Sequence, residues 1–420
     1  MLITHASQLI TLSGGPQRGS DLGRLGIMED GAVLIRGSSI VETGRTAELL
    51  AKFPAEETLE AAGRVVMPGF VDPHTHVVWA GSRAKEFEMR LEGKSYMEIM
   101  AAGGGINATV QATREAAYET ILGQTRSRLN AMFRNGTTTA EVKTGYGLET
   151  GAELVQLKAI RELDHEGPLE LAPTFLGAHA VPPEYSGNVE GYVDLLVAKM
   201  IPAVIAWWQE NCPAEPLPFV DVFCEKGVFD LEQTRRILSC AKDQGFPLKL
   251  HVDEFENLGG ASLAAEMSAA SADHLVKTSG EDIRNLAQSD TVAVALPCTP
   301  FGLGDPHYTP AKEIIAAGGL LALASDINPG TAWCGNMQFV IALACRAMGL
   351  TPSQAIAAAT INAAAAIRRA DRIGTLEPGK QADLLILSTD DYRDLAYRFG
   401  GNLIQTVIKK GVIYPSASQA

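Results

Sequence analysis

The stretch MPGFVDPHTHVVWAGSRAKEFEMR, Met67 to Arg90, ends an apolar run by presenting His74 and His76 one residue apart. In an extended strand, residues two apart point to the same side, so this spacing aims both imidazoles at one point. Two converging imidazoles are the beginning of a cation site, the plainer alternative being a pair of hydrogen-bonded polar residues at a strand end.

Outward from this stretch, short apolar runs alternate with helical ones. Strands are expected near residues 65–76, 137–143, 169–176, 219–225, 247–251, 271–274, 291–296 and 320–326. Eight strand–helix units match an α/β fold of the (β/α)8 TIM-like barrel type with insertions, an open doubly wound sheet being the competing arrangement. The polar residues favour the barrel. His74, His76, Lys143, His179, Glu225, His251, His274 and Asp326 all fall at or just after the carboxyl ends of these strands, the rim on which barrel active sites are built. At the chain ends the texture changes: LITHASQLITL and GAVLIRGSSIVETG, then IGTLEPGKQADLLILS and NLIQTVIKKGVIY, read as short strands between glycine turns. They predict a small composite β-sandwich domain from residues 1–65 and 373–420, flanking a barrel over 66–372.

The 420 residues carry 35 Lys and Arg against 49 Asp and Glu, a net charge of -14. That argues against a broad nucleic-acid surface or a basic membrane-binding face, and leaves room for a small anionic substrate held by a local arginine. Six cysteines without a C-x-x-C pair suit reduced thiols in a cytoplasmic protein. The first residues lack the features of a secretory signal, and the apolar runs at 314–324 and 355–367 are too short or too interrupted to span a bilayer. The Gly103-Gly104-Gly105 run reads as a flexible loop, since no G-K-[ST] follows it.

A metal reading of His74 and His76 needs further ligands, and His251 in LKLHVDEF and Asp326 in LALASDINPG are the best candidates. Zinc or iron accepts such nitrogen and oxygen donors, and a coordination position left open for water suits hydrolysis. Glu254, three residues after His251, is placed to pass a proton to a leaving nitrogen, or else is a solvated carboxylate starting a helix. His274 in SADHL can polarise a carbonyl there, or sit as a satisfied core histidine.

PGFVDPHTH resembles the opening strand of the metal-dependent amidohydrolase superfamily. Three further runs, RAKEFEMRL (83–91), GAHAVPPEY (177–185) and DINPGT (326–331), narrow the resemblance to the imidazolonepropionase family, and it extends over nearly the whole chain. The resemblance implies a mononuclear site with His74, His76, His251 and Asp326 as ligands to zinc or iron, and catalysis by Glu254, His274 and Asp326. It implies a pocket lined by Arg83, Tyr96, Tyr146, His179, Glu254, Asn328, Gly330 and Thr331, the arginine gripping a propionate carboxylate. The implied substrate is 4-imidazolone-5-propanoate, opened to N-formimidoyl-L-glutamate in histidine degradation, and the implied assembly is a homodimer. ALPCTPFGLG, with Cys298, and TAWCGNM, with Trp333 and Cys334, sit less easily with the family pattern beside that pocket. Lys226 reads as a surface lysine rather than the carboxylated lysine of dinuclear relatives. The rival readings are an ammonia-releasing aminohydrolase of the same superfamily and a scaffold that has lost its chemistry, which would lack ligands.

Overall fold

At Gly69 the chain passes from one sheet into another. In the computed structural model, which describes residues 1–94, 98 and 104–415, Val65–Pro68 pairs antiparallel with Leu384–Leu387, and Phe70–Asp72 pairs parallel with Thr137–Lys143. The single run expected over 65–76 is therefore two strands in two sheets. Successive backbone donors turn opposite ways to serve them: Gly69 N–H goes to Asp383 O at 3.0 Å and Phe70 N–H to Gly136 O at 3.0 Å. A Cβ on Gly69 would stand 2.3 Å from Thr138 Oγ1, so only glycine lets the strands approach this closely.

The barrel strands are β1 (Phe70–Asp72), β2 (Thr137–Lys143), β3 (Glu170–Ala178), β4 (Phe219–Cys224), β5 (Leu248–Val252), β6 (Ser271–His274), β7 (Val292–Ala295) and β8 (Leu321–Leu323). They are hydrogen-bonded in sequence order, every pair parallel. Short runs such as VAVA and LAL are buried throughout, as parallel strands covered on both faces require. The last strand is shorter than the expected 320–326 because the chain turns left-handed at Asp326, φ +54°. It then closes the barrel against the segment after β1. Asp326 N–H donates to His74 O at 3.1 Å and His76 N–H to Ile327 O at 3.0 Å. The Asp72 carboxylate accepts Ser325 N–H at 3.0 Å and Ser325 Oγ–H at 2.5 Å across the same seam.

Helices such as Thr150–Glu166 and Leu231–Asp243 return the chain between strands. The second starts at a reciprocal cap, Asp230 accepting Gln233 N–H while the Gln233 side chain accepts Asp230 N–H. Among the described residues, no helix is long and apolar enough to cross a membrane.

The other sheet draws on both chain ends: Leu2–Ile10, Ile27–Arg36, Ser39–Arg45, Thr58–Glu60 and Val65–Pro68 join Leu384–Leu387, Ile404–Lys409 and Val412–Pro415. It is antiparallel apart from the pairing of Leu2–Ile10 with Thr58–Glu60 and Val65–Pro68. Ile3, Leu9, Val33, Val66, Leu384 and Ile408 share one buried core. Ile40 N–H to Lys380 O and Ala382 N–H to Ser38 O, both 2.8 Å, tie the early edge to the late chain.

Glu170, the first residue of β3, pins this sheet to the barrel. Its carboxylate meets Arg369 at 3.1 Å, Lys409 at 3.2 Å and Arg372. Burial works against its charge, but Lys409, Arg369 and Arg372 together hold the carboxyl well below its ordinary range. A group depressed in this way stabilises the fold above its unfolded pKa and loses that contribution as the pH falls toward its folded one. Glu170→Gln, which leaves buried cations unmatched, is expected to cost about 3 kcal/mol at neutral pH. Denaturant unfolding at a series of pH values should show the gap to wild type narrowing below about pH 4.5; a gap unchanged at pH 3.5 would refute this account.

Candidate metal centre and active site

The segment His74-Thr75-His76 lies just past β1, outside any regular strand, yet it is held on both sides. The backbone of His74 and His76 bonds to Asp326 and Ile327. Between them, Thr75 faces β2: Thr75 Oγ–H donates to Glu141 O at 2.6 Å, and Thr75 O accepts Lys143 N–H at 3.0 Å. The alternation of an extended chain survives, and both imidazoles reach the same point. His74 Nε2 is 3.1 Å from His76 Nε2, which is 3.2 Å from His251 Nε2. Asp326 Oδ1 stands 3.5 Å from the Nε2 atoms of His74 and His76. Donor atoms bound tetrahedrally at 2.0–2.1 Å from one ion stand about 3.3 Å apart, so this set is spaced for a metal. His274 approaches the same cluster through His74 and His251.

Behind the cluster the barrel interior holds buried charge. His74 Nδ1–H donates to Asp273 Oδ2 at 2.6 Å, which leaves the Nε2 lone pair free for a cation. His251 Nδ1 stands 3.0 Å from Asp221 Oδ2. Lys143 Nζ links β2 to β4 across the interior, 2.8 Å from Asp221 and 2.7 Å from Glu141. Burial alone would lower the Lys143 ammonium, but Asp221, Glu141 and Asp273 outweigh it and hold it above its ordinary value. Lys249 Nζ donates to Ser271 Oγ at 2.6 Å and lies 3.5 Å from Asp273. The two lysines thus pair with three carboxylates, Glu141, Asp221 and Asp273. These supporting residues were not singled out from the sequence as partners of the histidines; their one signal was a charge inside otherwise apolar strands, as in FVDVFC and SADH.

Burial, followed by Lys143 at His74 and by His179 at His76, holds both imidazoles well below their ordinary pKa. His274 is also held low, burial first. Asp326 is raised to about 6, chiefly by burial, although it accepts a hydrogen bond from Thr299 Oγ. Glu254 is pushed well above the ordinary carboxyl range by burial and then by Asp326 and Glu225. Its Oε2 lies 3.7 Å from His274 Nδ1. The loop that carries it is fastened by Glu225, whose carboxylate accepts Phe255 N–H at 2.9 Å and Glu256 N–H at 3.1 Å. Asp253, His274 and Asp326 all have positive φ, a concentration of rare backbone at one rim.

Of the expected pocket residues, His179 stacks on His76 with ring centroids 4.8 Å apart, and Tyr146 lies 5.3 Å from His179. His179 Nδ1–H donates to Gly145 O at 3.0 Å, and burial, aided by His251, lowers its pKa to about 3. Arg83 is farther out, in a mouth cavity of about 330 Å³ shared with Phe87, Arg90, Gly330 and Trp333. Glu86 clasps its guanidinium twice, at 2.9 and 2.5 Å, and also accepts Gly105 N–H at 2.8 Å. Gly330 makes room for it: a Cβ there would stand 2.4 Å from Arg83 Nη1. Asn328 organises its own loop, Oδ1 accepting Gly330 and Thr331 N–H at 2.8 Å while Nδ2 donates to Asp326 O at 2.8 Å and to Thr331 Oγ1 at 3.1 Å. Tyr96 lies outside the described residues. Trp333 packs edge-on against Trp79, and Cys298 is buried at the start of the helix Cys298–Leu303. Lys226 is exposed beside Glu256, and His307 is bonded to Asp305 in an exposed loop.

Carboxylates behind metal-binding histidines set ring orientation and basicity. Asp221→Asn and Asp273→Asn are each expected to weaken zinc retention about 10–100-fold against a competing chelator. Unchanged retention in both would show that the pairing has no part in holding the ion.

Comparison with known proteins bears on the family and the fold. Models of the amidohydrolase family match residues 57–137 and 235–414, and one of an imidazolonepropionase-like composite domain from bacteria matches 31–55. The imidazolonepropionase of Herpetosiphon aurantiacus is 51% identical over 98% of this chain and 96% of its own length. That of Chloroflexus aggregans is 48% identical over 98% of both. Among solved structures, atrazine chlorohydrolase from Arthrobacter aurescens, complexed with zinc, superposes with a TM-score of 0.70 at 16% identity, covering 98% of this chain and 94% of its own. Guanine deaminase from E. coli does so with 0.69 at 16%, covering 99% and 98%; at such identity the two bear on the fold alone. By its near-full-length identity to these relatives, the chain belongs to the imidazolonepropionase family of amidohydrolases.

Proposed function

We propose that this chain hydrolyses the ring amide C–N bond of 4-imidazolone-5-propanoate, giving N-formimidoyl-L-glutamate in histidine degradation. The observation that carries the reading is that Glu254, His274 and Asp326 meet beside the three-histidine cluster in a chain of this family. His74, His76, His251 and Asp326 would hold one zinc or iron ion. When bound, such an ion acts as a Lewis acid and lowers the pKa of a coordinated water to roughly 7.

The residues of the chain then divide the proton and charge work. Asp326, its carboxyl raised to about 6, takes the proton of the attacking water. His274, neutral at working pH, donates a hydrogen bond to the ring carbonyl oxygen as negative charge develops there. The water oxygen adds to the carbonyl carbon and the ring C–N bond breaks. Glu254, together with Asp326, returns that proton to the departing nitrogen as the bond breaks. One water is consumed and no ammonia leaves, which separates this reaction from that of an aminohydrolase, a reading that family membership does not favour.

Arg83 grips the propionate carboxylate, its free donors aimed by the Glu86 clasp. Tyr146 and His179 flank the ring, Gly330 leaves the arginine its room, and Thr331, in the loop that Asn328 shapes, completes the wall. Tyr96 belongs to the same proposed pocket. The reading also has a homodimer working in the cytoplasm; free cysteines suit such a reducing compartment.

Freshly generated 4-imidazolone-5-propanoate should lose its ultraviolet absorbance with metal-loaded enzyme and yield formimidoylglutamate without ammonia, while His251→Ala is expected to be inactive. Ammonia release, or no turnover with metal bound, would reject the substrate. Arg83→Gln is expected to raise KM about 10–100-fold, the loss of a charge-assisted contact, with a much smaller change in kcat. Steady-state kinetics that showed an unaltered KM would take the arginine out of the pocket.

A further inference from the structure

The two ends of the barrel differ in chemistry, and the end away from the metal centre carries a second cleft. Glu170 and Phe219, the first residues of β3 and β4, and Pro247, just before β5, border a cavity of about 900 Å³. Parallel strands put their first residues at one end of the barrel and the histidine cluster at the other, so this cleft and the proposed active site do not share residues. Its size lies within the usual range for small-molecule pockets.

The lining is rich in cations around Glu170, with Arg368, Arg369, Arg372 and Lys410 beside it and Asp371 a second carboxylate there. A carboxylate offers about four acceptor positions. On Glu170 these go to Arg369 Nη1 at 3.1 Å, Arg372 Nη2, Gln381 Nε2 at 3.1 Å and Lys409 Nζ at 3.2 Å. Lys409 also has Asp383 at 2.7 Å. Lys410 is left 3.6 Å away, and Arg372 has used one of its five donors on Glu170. Both side chains are about half exposed, at 43% and 50%, and both line the cleft. Also in the lining, buried Arg161 pairs with Asp164 at 2.6 Å and with Glu215, but its buried Nε has no hydrogen-bond partner among the described residues. Trp208, Phe219 and Ile367 line it as well.

We propose that this cleft binds a small organic anion, a phosphate or carboxylate carried on a flat apolar body. Arg372 and Lys410 supply the charge-assisted donors, and Trp208, Phe219 and Ile367 cover the body. A bare inorganic anion would use only the first half of the site, and a neutral aromatic only the second.

The test is titration calorimetry of the full-length, metal-loaded protein at fixed ionic strength with phenyl phosphate, inorganic phosphate and phenol. The proteins are wild type, the double variant Arg372→Ala/Lys410→Ala and, because the metal centre also attracts anions, Arg83→Gln. Expected are one phenyl phosphate per chain bound at least about tenfold tighter than inorganic phosphate, and a loss of about tenfold or more in the double variant. Arg83→Gln should bind as wild type does. Equal affinities for phenyl phosphate and phosphate, wild-type binding by the double variant, a loss confined to Arg83→Gln, or no binding to wild type would each overturn the proposal. Circular dichroism of the double variant separates lost binding from lost folding.

Discussion

The closure of the barrel through His74-Thr75-His76 is the constraint on which the rest depends. The named strands run in order from β1 to β8 but do not pair with each other at their ends; the residues after them do. Asp326 N–H to His74 O and His76 N–H to Ile327 O complete the ring. A buried backbone donor left unpaired here would cost free energy comparable to a lost hydrogen bond, so the seam holds its register. Because the seam consists of three of the four proposed ligands or their neighbours, closing the barrel and assembling the donor set are one event. The left-handed conformation of Asp326 is the local cost, offset by the bonds it permits.

The barrel interior explains why those donors are oriented as well as gathered. Most barrels of this kind fill their centre with branched apolar side chains. Here the positions below the histidines hold Glu141, Lys143, Asp221, Lys249 and Asp273, all fully buried. Taking such charges from water is costly, and replacing them by apolar residues of similar volume is often neutral or stabilising in other proteins. What the arrangement returns is direction: His74 is tethered at Nδ1, His251 faces Asp221, and Lys143 holds the carboxylates of β2 and β4 in place. The interior gives up some stability for a fixed donor geometry, which is how a first layer of ligands is kept from drifting.

The opposite end of the barrel uses charge differently. Glu170 gathers cations from the segment after the helix Ile361–Ala366 and from the terminal sheet, so the joint between the two sheets is electrostatic at its buried centre. A joint built that way accumulates more donors than acceptors, and the surplus faces the cleft.

Much of the rim was legible in advance. His74, His76, His251, His274 and Asp326 stood out because each is a polar residue ending an apolar run, and in parallel barrels those ends share one face. Glu254 followed from its distance to His251. Less legible was anything that depends on which strands touch across the interior: Lys143 and Asp221 are 78 residues apart, His74 and Asp273 199 apart. The division of 65–76 into two strands was hidden because both halves are equally apolar, and only the closeness of Thr138 shows why Gly69 stands between them. Asn328 drew notice as a pocket residue, yet its polar atoms serve its own loop. By itself, then, the sequence determined the alternation of strand and helix and the donor types at the strand ends, since these follow from periodicity and side-chain chemistry within a few residues. Which carboxylate backs which histidine, which backbone closes the ring and where surplus charge collects were decided by the tertiary structure alone, because those are contacts between segments that only the closed barrel brings within reach.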